Sequence, residues 1–297
     1  MNTTPVINQR RSGSPAAFEE QWLEAIRQGG GRWLIYPVER PATQFDLFEQ
    51  VKAAEVDIVL NRYQFKRGLV LEYGCGAAGM SIYLVNKGFQ AVTCDLSFKA
   101  LRVSRMNAAR HLAEGSPESM HGVAANVFCL PFADRAFDVV MSYGLLEHFA
   151  PNILDAVLTE VIRTLRPGGL FIADIAHGRF SVRTLGVWLS SIGSTLFHTV
   201  TLRWRQLPDA YLEVLYENDL DERQWSAALE HAGLSDVNAR ILHPFPPLAV
   251  SGRMERLYVS LLKFARPMWR WFDRTQPSWG RKWGWLYLVW GIKCASL

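Results

Sequence analysis

Gly68-Leu69-Val70-Leu71-Glu72-Tyr73-Gly74-Cys75-Gly76-Ala77-Ala78-Gly79-Met80 is the stretch whose reading decides the fold. A short apolar run ends in an acid, a loop with three glycines follows, and Met80-Ser81-Ile82-Tyr83-Leu84-Val85 reads as the start of a helix. The pattern predicts a buried parallel strand, a tight turn and a helix packed back on its strand. Gly74 and Gly76 permit positive φ and present no Cβ to a ligand that approaches the backbone. The loop amides and the positive helix end face whatever lies above the sheet edge. Gly74, Gly76 and Gly79 also satisfy GxGxxG, and Asp95 follows at about the spacing at which an acid meets a ribose hydroxyl. On this loop by itself, a nicotinamide-dependent oxidoreductase stays open.

Working outward, strands are expected at 69–71, 90–94, 122–125, 137–142 and 170–175. Helices are expected at 79–87, 98–114 and 150–165, the last stopped by Pro167-Gly168-Gly169. Strands separated by helix-length segments imply a doubly wound parallel sheet, an α/β fold. Ligands of such sheets bind beyond the strand carboxyl ends, where Gly74, Asp95 and the loop 142–148 would meet.

Four motifs now stand in order. They are Val70-Leu71-Glu72-Tyr73-Gly74-Cys75-Gly76, then Val92-Thr93-Cys94-Asp95-Leu96-Ser97 with Ala100-Leu101. The third runs from Leu130-Pro131-Phe132-Ala133-Asp134 through Phe137-Asp138-Val139-Val140 to Gly144-Leu145-Leu146-Glu147-His148, and the fourth is Leu165-Arg166-Pro167-Gly168-Gly169. Over about residues 68–176 the chain resembles the class I S-adenosylmethionine-dependent methyltransferases of the small-molecule type. The resemblance implies a Rossmann-like seven-stranded sheet and S-adenosyl-L-methionine as cofactor. It implies that Glu72 orients the methionine ammonium, Gly74 and Gly76 admit the cofactor, and Asp95 accepts both ribose hydroxyls. Asn126 and Val127 would read the adenine edge, with Leu96 and Leu130 on the two faces of the ring. Tyr143 would line the methyl channel. Two departures stand out: the family often has glycine where Ala78 stands, and Asp where Asn126 stands. Asn can still accept from an adenine amine through its carbonyl oxygen.

A hydroxyl acceptor would need a general base, for which His148, His177 and Asp174 are the candidates. The four cysteines are scattered, with no CxxC and no zinc spacing, so no metal is expected. Cys75 reads as a packing residue. The Asn/Asp-Pro-Pro-Tyr signature of nucleic-acid methylation is replaced by Ser142-Tyr143-Gly144-Leu145, so no nucleic-acid partner is expected.

Residues 1–16 read as a disordered leader without a signal peptide, which suggests a cytoplasmic protein. Residues 17–66 read as an N-terminal helical cap, and 67–297 as the cofactor-binding domain with substrate-side insertions at 176–220 and 244–284. Within the first insertion, 184–202 is uncharged but diluted by Gly, Ser and Thr, so a lid or interfacial helix fits it better than a membrane span. From Ser251 to Leu297 nine Lys/Arg stand against two Asp/Glu, a net +7, whereas the rest of the chain carries −3. Six of the eleven tryptophans lie there as well. Residues 253–272 are expected as one helix bent at Pro267. Its apolar face would be Met254, Leu257, Tyr258, Leu261, Leu262, Ala265, Met268, Trp269 and Phe272, with bases opposite or flanking. That segment is the candidate for peripheral contact with a membrane.

The expected activity is methyl transfer, with O-methylation of an amphipathic small molecule or lipid-linked glycan as the reading. The alternatives are the nicotinamide-dependent oxidoreductase and a cofactor-binding partner protein without turnover.

Overall fold

The computed structural model describes residues 15–27, 29, 36–113, 119–176, 181–186, 188–190, 192, 218, 220–280 and 283–294, with only the backbone described for 15–18. Seven strands form one sheet: β1 (Leu69–Tyr73), β2 (Gln90–Asp95), β3 (Met120–Ala124), β4 (Phe137–Tyr143), β5 (Leu165–Ala176), β6 (Leu234–Leu242) and β7 (Leu286–Lys293). Their order is β3-β2-β1-β4-β5-β7-β6. Strands β1 to β5 pair in parallel, and β7 runs antiparallel between β5 and β6. The sheet is therefore the Rossmann-like, seven-stranded α/β sheet expected from the sequence. A dinucleotide-binding sheet of order 3-2-1-4-5-6 has no such antiparallel strand, so the topology sides against the oxidoreductase.

The inner strands β1, β4, β5 and β7 are largely apolar on both faces because helices cover both. Val70, Val139, Met141, Leu170, Ile172, Leu288 and Trp290 point to one side. There they meet α2 (Gln44–Arg62) and α3 (Gly79–Val85) through Ala53, Val56, Val59, Leu60, Met80 and Leu84. The alternate residues Leu71, Tyr73, Val140, Phe171, Ala173, Tyr287 and Val289 point to the other side. They pack on α5 (Pro151–Thr164) and α6 (Glu222–His231), where Trp225 is fully buried. At roughly 1.5–3 kcal/mol per large buried apolar side chain, these two layers hold the sheet. Local signals fix the helix starts. Thr43 and Asp46 form a reciprocal capping box at α2, Asp221 and Gln224 form another at α6, and Ser97 caps α4 (Phe98–His111).

Three expectations need correction. Strand β5 begins at Leu165, before Pro167-Gly168-Gly169, because Leu165 already pairs with Phe137 across a register irregularity. The expected helix 253–272 is two helices, α7 (Gly252–Phe264) and α8 (Arg266–Thr275). Pro267 sits in the first turn of α8, where the missing amide costs nothing, and it cannot continue α7. The single apolar face also divides. Leu262, Trp269 and Phe272 are buried, whereas Met254, Leu257, Leu261 and Met268 are exposed.

The first helix, α1 (Pro15–Arg27), packs on α4. Helix α2 packs on α7, with Leu47, Phe48 and Val51 against Leu262 and Trp269. Most of 176–220, including most of 184–202, lies outside the described residues. No described helix is long and apolar enough to cross a membrane.

Candidate functional site

Two carboxylates mark the carboxyl ends of adjacent strands. Glu72 is buried near the end of β1, and its Oε2 accepts from the Ser81 amide at 2.9 Å and from the Ser81 hydroxyl. Burial pushes its pKa up to about 7, against the pull of the Ser81 hydrogen bonds. Asp95 closes β2. Its Oδ2 accepts from the Gly76 amide at 3.0 Å and its Oδ1 from the Ser97 amide at 2.9 Å. Burial raises the Asp95 pKa too, opposed by the Ser97 and Gly76 amides. The β1–α3 loop lies between them, tied to β2 where the Cys75 amide donates to the Cys94 carbonyl at 3.0 Å. Gly74 has φ +61°, and a Cβ there would stand 2.4 Å from Leu145 Cδ2. Gly76 has φ +49°. Ala78, the departure from glycine, also adopts a left-handed conformation, φ +53° and ψ +33°, as the N-cap of α3. Burial holds the Cys75 thiol well above the ordinary range, so it is protonated and inert.

The expected adenine side is less uniform. Leu96 and Phe98 are exposed beside Asp95. The Ala125 amide donates to the Asp95 carbonyl at 3.0 Å, which places Asn126 next to β2. Asn126 Oδ1 accepts from the Phe128 amide at 3.1 Å, so the oxygen expected to accept from an adenine amine is shared with the backbone. Val127 packs against the core, and Leu130 is buried within it. The Leu130 amide donates to Glu160 Oε1 at 2.6 Å. Leu96 thus offers an open apolar surface, whereas Leu130 is covered by its neighbours.

Helix α1 reaches over this loop. Trp22 ring atoms stand 3.0–3.2 Å from where a Gly76 Cβ would be, and Glu19 pairs with Lys99 of α4 at 2.9 Å. The sequence marked 17–66 as a helical cap but gave no sign that Trp22 would lie on the glycine loop.

The ends of β4 and β5 form the neighbouring half. Asp174 Oδ1 accepts from the Gly144 amide at 2.6 Å, and Oδ2 accepts from Lys52 Nζ at 2.9 Å. Lys52 also lies 2.8 Å from Glu49 Oε1 and 5.0 Å from the centre of the half-buried Tyr143 ring. Burial favours the neutral amine, but Asp174 and Glu49 outweigh it and hold the Lys52 pKa above the ordinary lysine value. Burial pushes the Tyr143 hydroxyl well up, helped by the charges of Glu72, Asp174 and Glu49. Asp174 acts here as the fastening of α2. Lys52 was missed in the sequence, where a single lysine in Val51-Lys52-Ala53 looks like a solvated helix position.

His148 ends a 3-10 turn, Leu146–His148, and its amide donates to the Leu145 carbonyl at 3.0 Å. Glu147 beside it accepts from the Ala176 amide at 3.2 Å, so the turn lies at the carboxyl end of β5. Asn218 closes over the turn, donating to the carbonyls of Leu146 and Phe149 at 3.1 and 2.8 Å. His177 lies outside the described residues.

Residues 71–173 match the family model described as a methyltransferase domain. Over 131 residues the chain is 31% identical to malonyl-[acyl-carrier protein] O-methyltransferase of Pseudescherichia vulneris, covering 44% of this chain and 48% of that protein. Over 116 residues it is 37% identical to a fatty-acid O-methyltransferase of Mycolicibacterium smegmatis, covering 38% and 39%. The chain thus matches about half the length, or less, of these curated relatives. Among solved structures, the Burkholderia thailandensis 1,6-didemethyltoxoflavin-N1-methyltransferase, with bound 1,6-didemethyltoxoflavin and S-adenosylhomocysteine, superposes with a TM-score of 0.54 at 15% identity. That match covers 96% of this chain and 93% of the other.

Proposed function

We propose, from a chain whose segment 71–173 belongs to the methyltransferase domain family and whose sheet is that of the class I S-adenosylmethionine-dependent methyltransferases, that the protein methylates an oxygen of an amphipathic small molecule. One observation carries the cofactor reading: the acids Glu72 and Asp95 end adjacent strands on either side of a glycine loop. Their chemistry fits an ammonium, a sulfonium and a ribose diol, all of which favour anionic acceptors. At Gly74 the space a Cβ would take is held by Leu145, so the missing side chain there serves packing and the left-handed turn of the loop.

When bound, S-adenosylmethionine supplies an electrophilic methyl group on a positive sulfur. Glu72 would hold the methionine ammonium, and Asp95 the ribose hydroxyls in charge-assisted hydrogen bonds. Asn126 would donate to the adenine edge and Leu96 would cover one face of the ring. Tyr143, kept protonated by its surroundings, would wall the channel between cofactor and acceptor. The ion pair of Lys52 with Asp174 would keep that wall rigid, so that alignment and exclusion of water provide most of the rate. His148 stands as the candidate base for a hydroxyl acceptor. A carboxylate acceptor has no proton to remove and would need positioning only.

The oxygen and the amphipathic character of the acceptor rest on two supports. The malonyl and fatty-acid relatives are named as O-methyltransferases, and all eleven tryptophans of this chain lie outside 71–173. The toxoflavin neighbour is an N-methyltransferase, so the fold does not choose the atom.

Calorimetric titration of S-adenosylmethionine and of NADH into wild type and Asp95→Ala tests the cofactor. Binding of the first ligand only, weakened about ten- to a hundred-fold by the substitution, is expected. Labelled methyl transfer to fatty acids and acyl thioesters, compared with short polar acids, tests the acceptor. Binding of NADH would overturn the cofactor reading. Equal transfer to both acceptor classes would overturn the amphipathic one.

A further inference from the structure

Helices α7 and α8 turn one apolar face to the domain and a second to solvent. On the inner side Val259, Leu262, Trp269 and Phe272 are buried, with the Trp269 ring 5.5 Å from Phe48 of α2. On the outer side Met254, Leu257, Leu261, Phe264, Met268 and Trp271 are all at least half exposed, Phe264 at 87%. These six recur at alternating steps of three and four residues, the spacing that keeps side chains in one stripe along a helix. Four of them stand on α7 and two on α8, on either side of the break at Pro267. Single exposed apolar residues are ordinary on a protein surface, but a continuous row marks an interaction surface.

Charge selects the partner. Arg253, Arg256, Lys263, Arg270 and Arg274 are exposed on the same two helices, whereas Asp273 is buried and Glu255 is half-buried. Just beyond α8, Trp279 is 59% exposed and Trp283 is 40% exposed. Bases beside an apolar stripe, with tryptophans at its end, suit the boundary between headgroups and acyl chains. We infer that the α7–α8 face docks on an anionic phospholipid bilayer surface. A second copy of the chain would set one row of five bases against another. A nucleic acid would satisfy the bases but offer no apolar phase to Phe264, Leu261 or Met268.

Trp188 and Leu189 are exposed on the piece held beside 246–249, where the Ala249 amide donates to Ser190 Oγ at 2.8 Å. The inner side of α7 and α8 packs on α2, the helix that carries Lys52 into the candidate site. A bilayer on the outer face would therefore be one helical layer from the helix that walls the acceptor channel. The docking face does not depend on which acceptor is methylated.

The full-length protein, sedimented with extruded vesicles, tests this. Wild type should pellet with phosphatidylcholine vesicles containing phosphatidylglycerol, far less with phosphatidylcholine alone, and less as salt rises. Arg256→Gln with Arg270→Gln should lower partitioning roughly thirty-fold, at about five-fold per base near an anionic surface. Phe264→Ser with Trp271→Ser should lower it at least as far, and both double variants should keep wild-type melting and S-adenosylmethionine affinity. Equal pelleting by wild type and both variants would overturn the inference. So would loss with the arginine pair but not the aromatic pair, which would indicate a polyanion such as nucleic acid. A concentration-dependent dimer seen by light scattering, and dissolved by the aromatic pair, would assign the face to a second copy instead.

Discussion

Lys52 Nζ lies 2.9 Å from Asp174 Oδ2, and both side chains are more than nine-tenths buried. The pair joins a helix that precedes the sheet to the end of its fifth strand, and Glu49 shares the same ammonium. Without Lys52 two carboxylates would be left near each other with no cation between them. Removing one partner of a buried pair costs about 3–5 kcal/mol, because the remaining charge is left uncompensated. Lys52→Met should lose stability on that order, and adding Asp174→Asn should recover part of it. Urea midpoints of wild type, both single variants and the double variant check this. A Lys52→Met midpoint equal to wild type would remove the pair from the account of how α2 is held.

Glu72 makes cofactor binding depend on pH. Its pKa, about 7 from burial, lies above the ordinary 4.5, so the free folded protein holds a proton that the unfolded chain has lost. The contribution of this group to stability is therefore full below about pH 4.5 and is lost as pH rises toward 7. A ligand ammonium favours the ionised form and must expel the proton at low pH. Affinity for S-adenosylmethionine should rise roughly ten-fold from about pH 6 to about pH 8, with proton release on binding that falls away at the upper end. Titrations in buffers of different ionisation enthalpy measure both. Glu72→Gln should bind more weakly and with a flat profile. An unchanged slope in that variant would place the titrating group elsewhere.

Ala78 stores backbone strain. A non-glycine residue in the left-handed region costs about 1–2 kcal/mol, and glycine gives back part of that advantage through its freer unfolded chain. Ala78→Gly should leave the fold intact and raise stability by about 0.5–1 kcal/mol, read from denaturant midpoints at constant slope. A loss of stability would mean that packing of the buried methyl outweighs the strain.

The sheet was legible because its strands are short apolar runs broken by helix-length periods, and a pattern that local needs little context. The same holds for Glu72, Gly74, Gly76 and Asp95, which lie at strand ends that the motifs themselves mark. Lys52 was not legible. Its role comes from a contact with Asp174 across 122 residues of chain, and nothing near Lys52 in the sequence announces a buried charge. The division of the α7–α8 apolar arc was equally hidden. Periodicity puts Leu261 and Leu262 on one broad face, and only the position of α2 decides that Leu262 is covered while Leu261 is not.

Trp22 over Gly76 gives the last prediction. Helix α1 is held down by the Ser97 hydroxyl and by the Glu19–Lys99 pair, which together keep the Glu19 carboxyl below its usual pKa. Glu19 and Lys99 are both more than a third exposed, so that pair adds little and the aromatic ring is the main closure. The indole lies directly against Gly76, so a ligand on the glycine loop would seat beside the ring and would give up that contact in order to leave. Trp22→Ala should speed release of S-adenosylmethionine about ten-fold or more in stopped-flow displacement, equivalent to about 1.4 kcal/mol of lost contact. Entry should change less, since most variation in affinity lies in the off-rate. Trp22→Phe should restore most of the slow release, because a smaller aromatic ring still covers the loop. Wild-type release rates in Trp22→Ala would show that α1 swings clear before the cofactor departs. The helix would then be a neighbour of the site with no hold on its occupant.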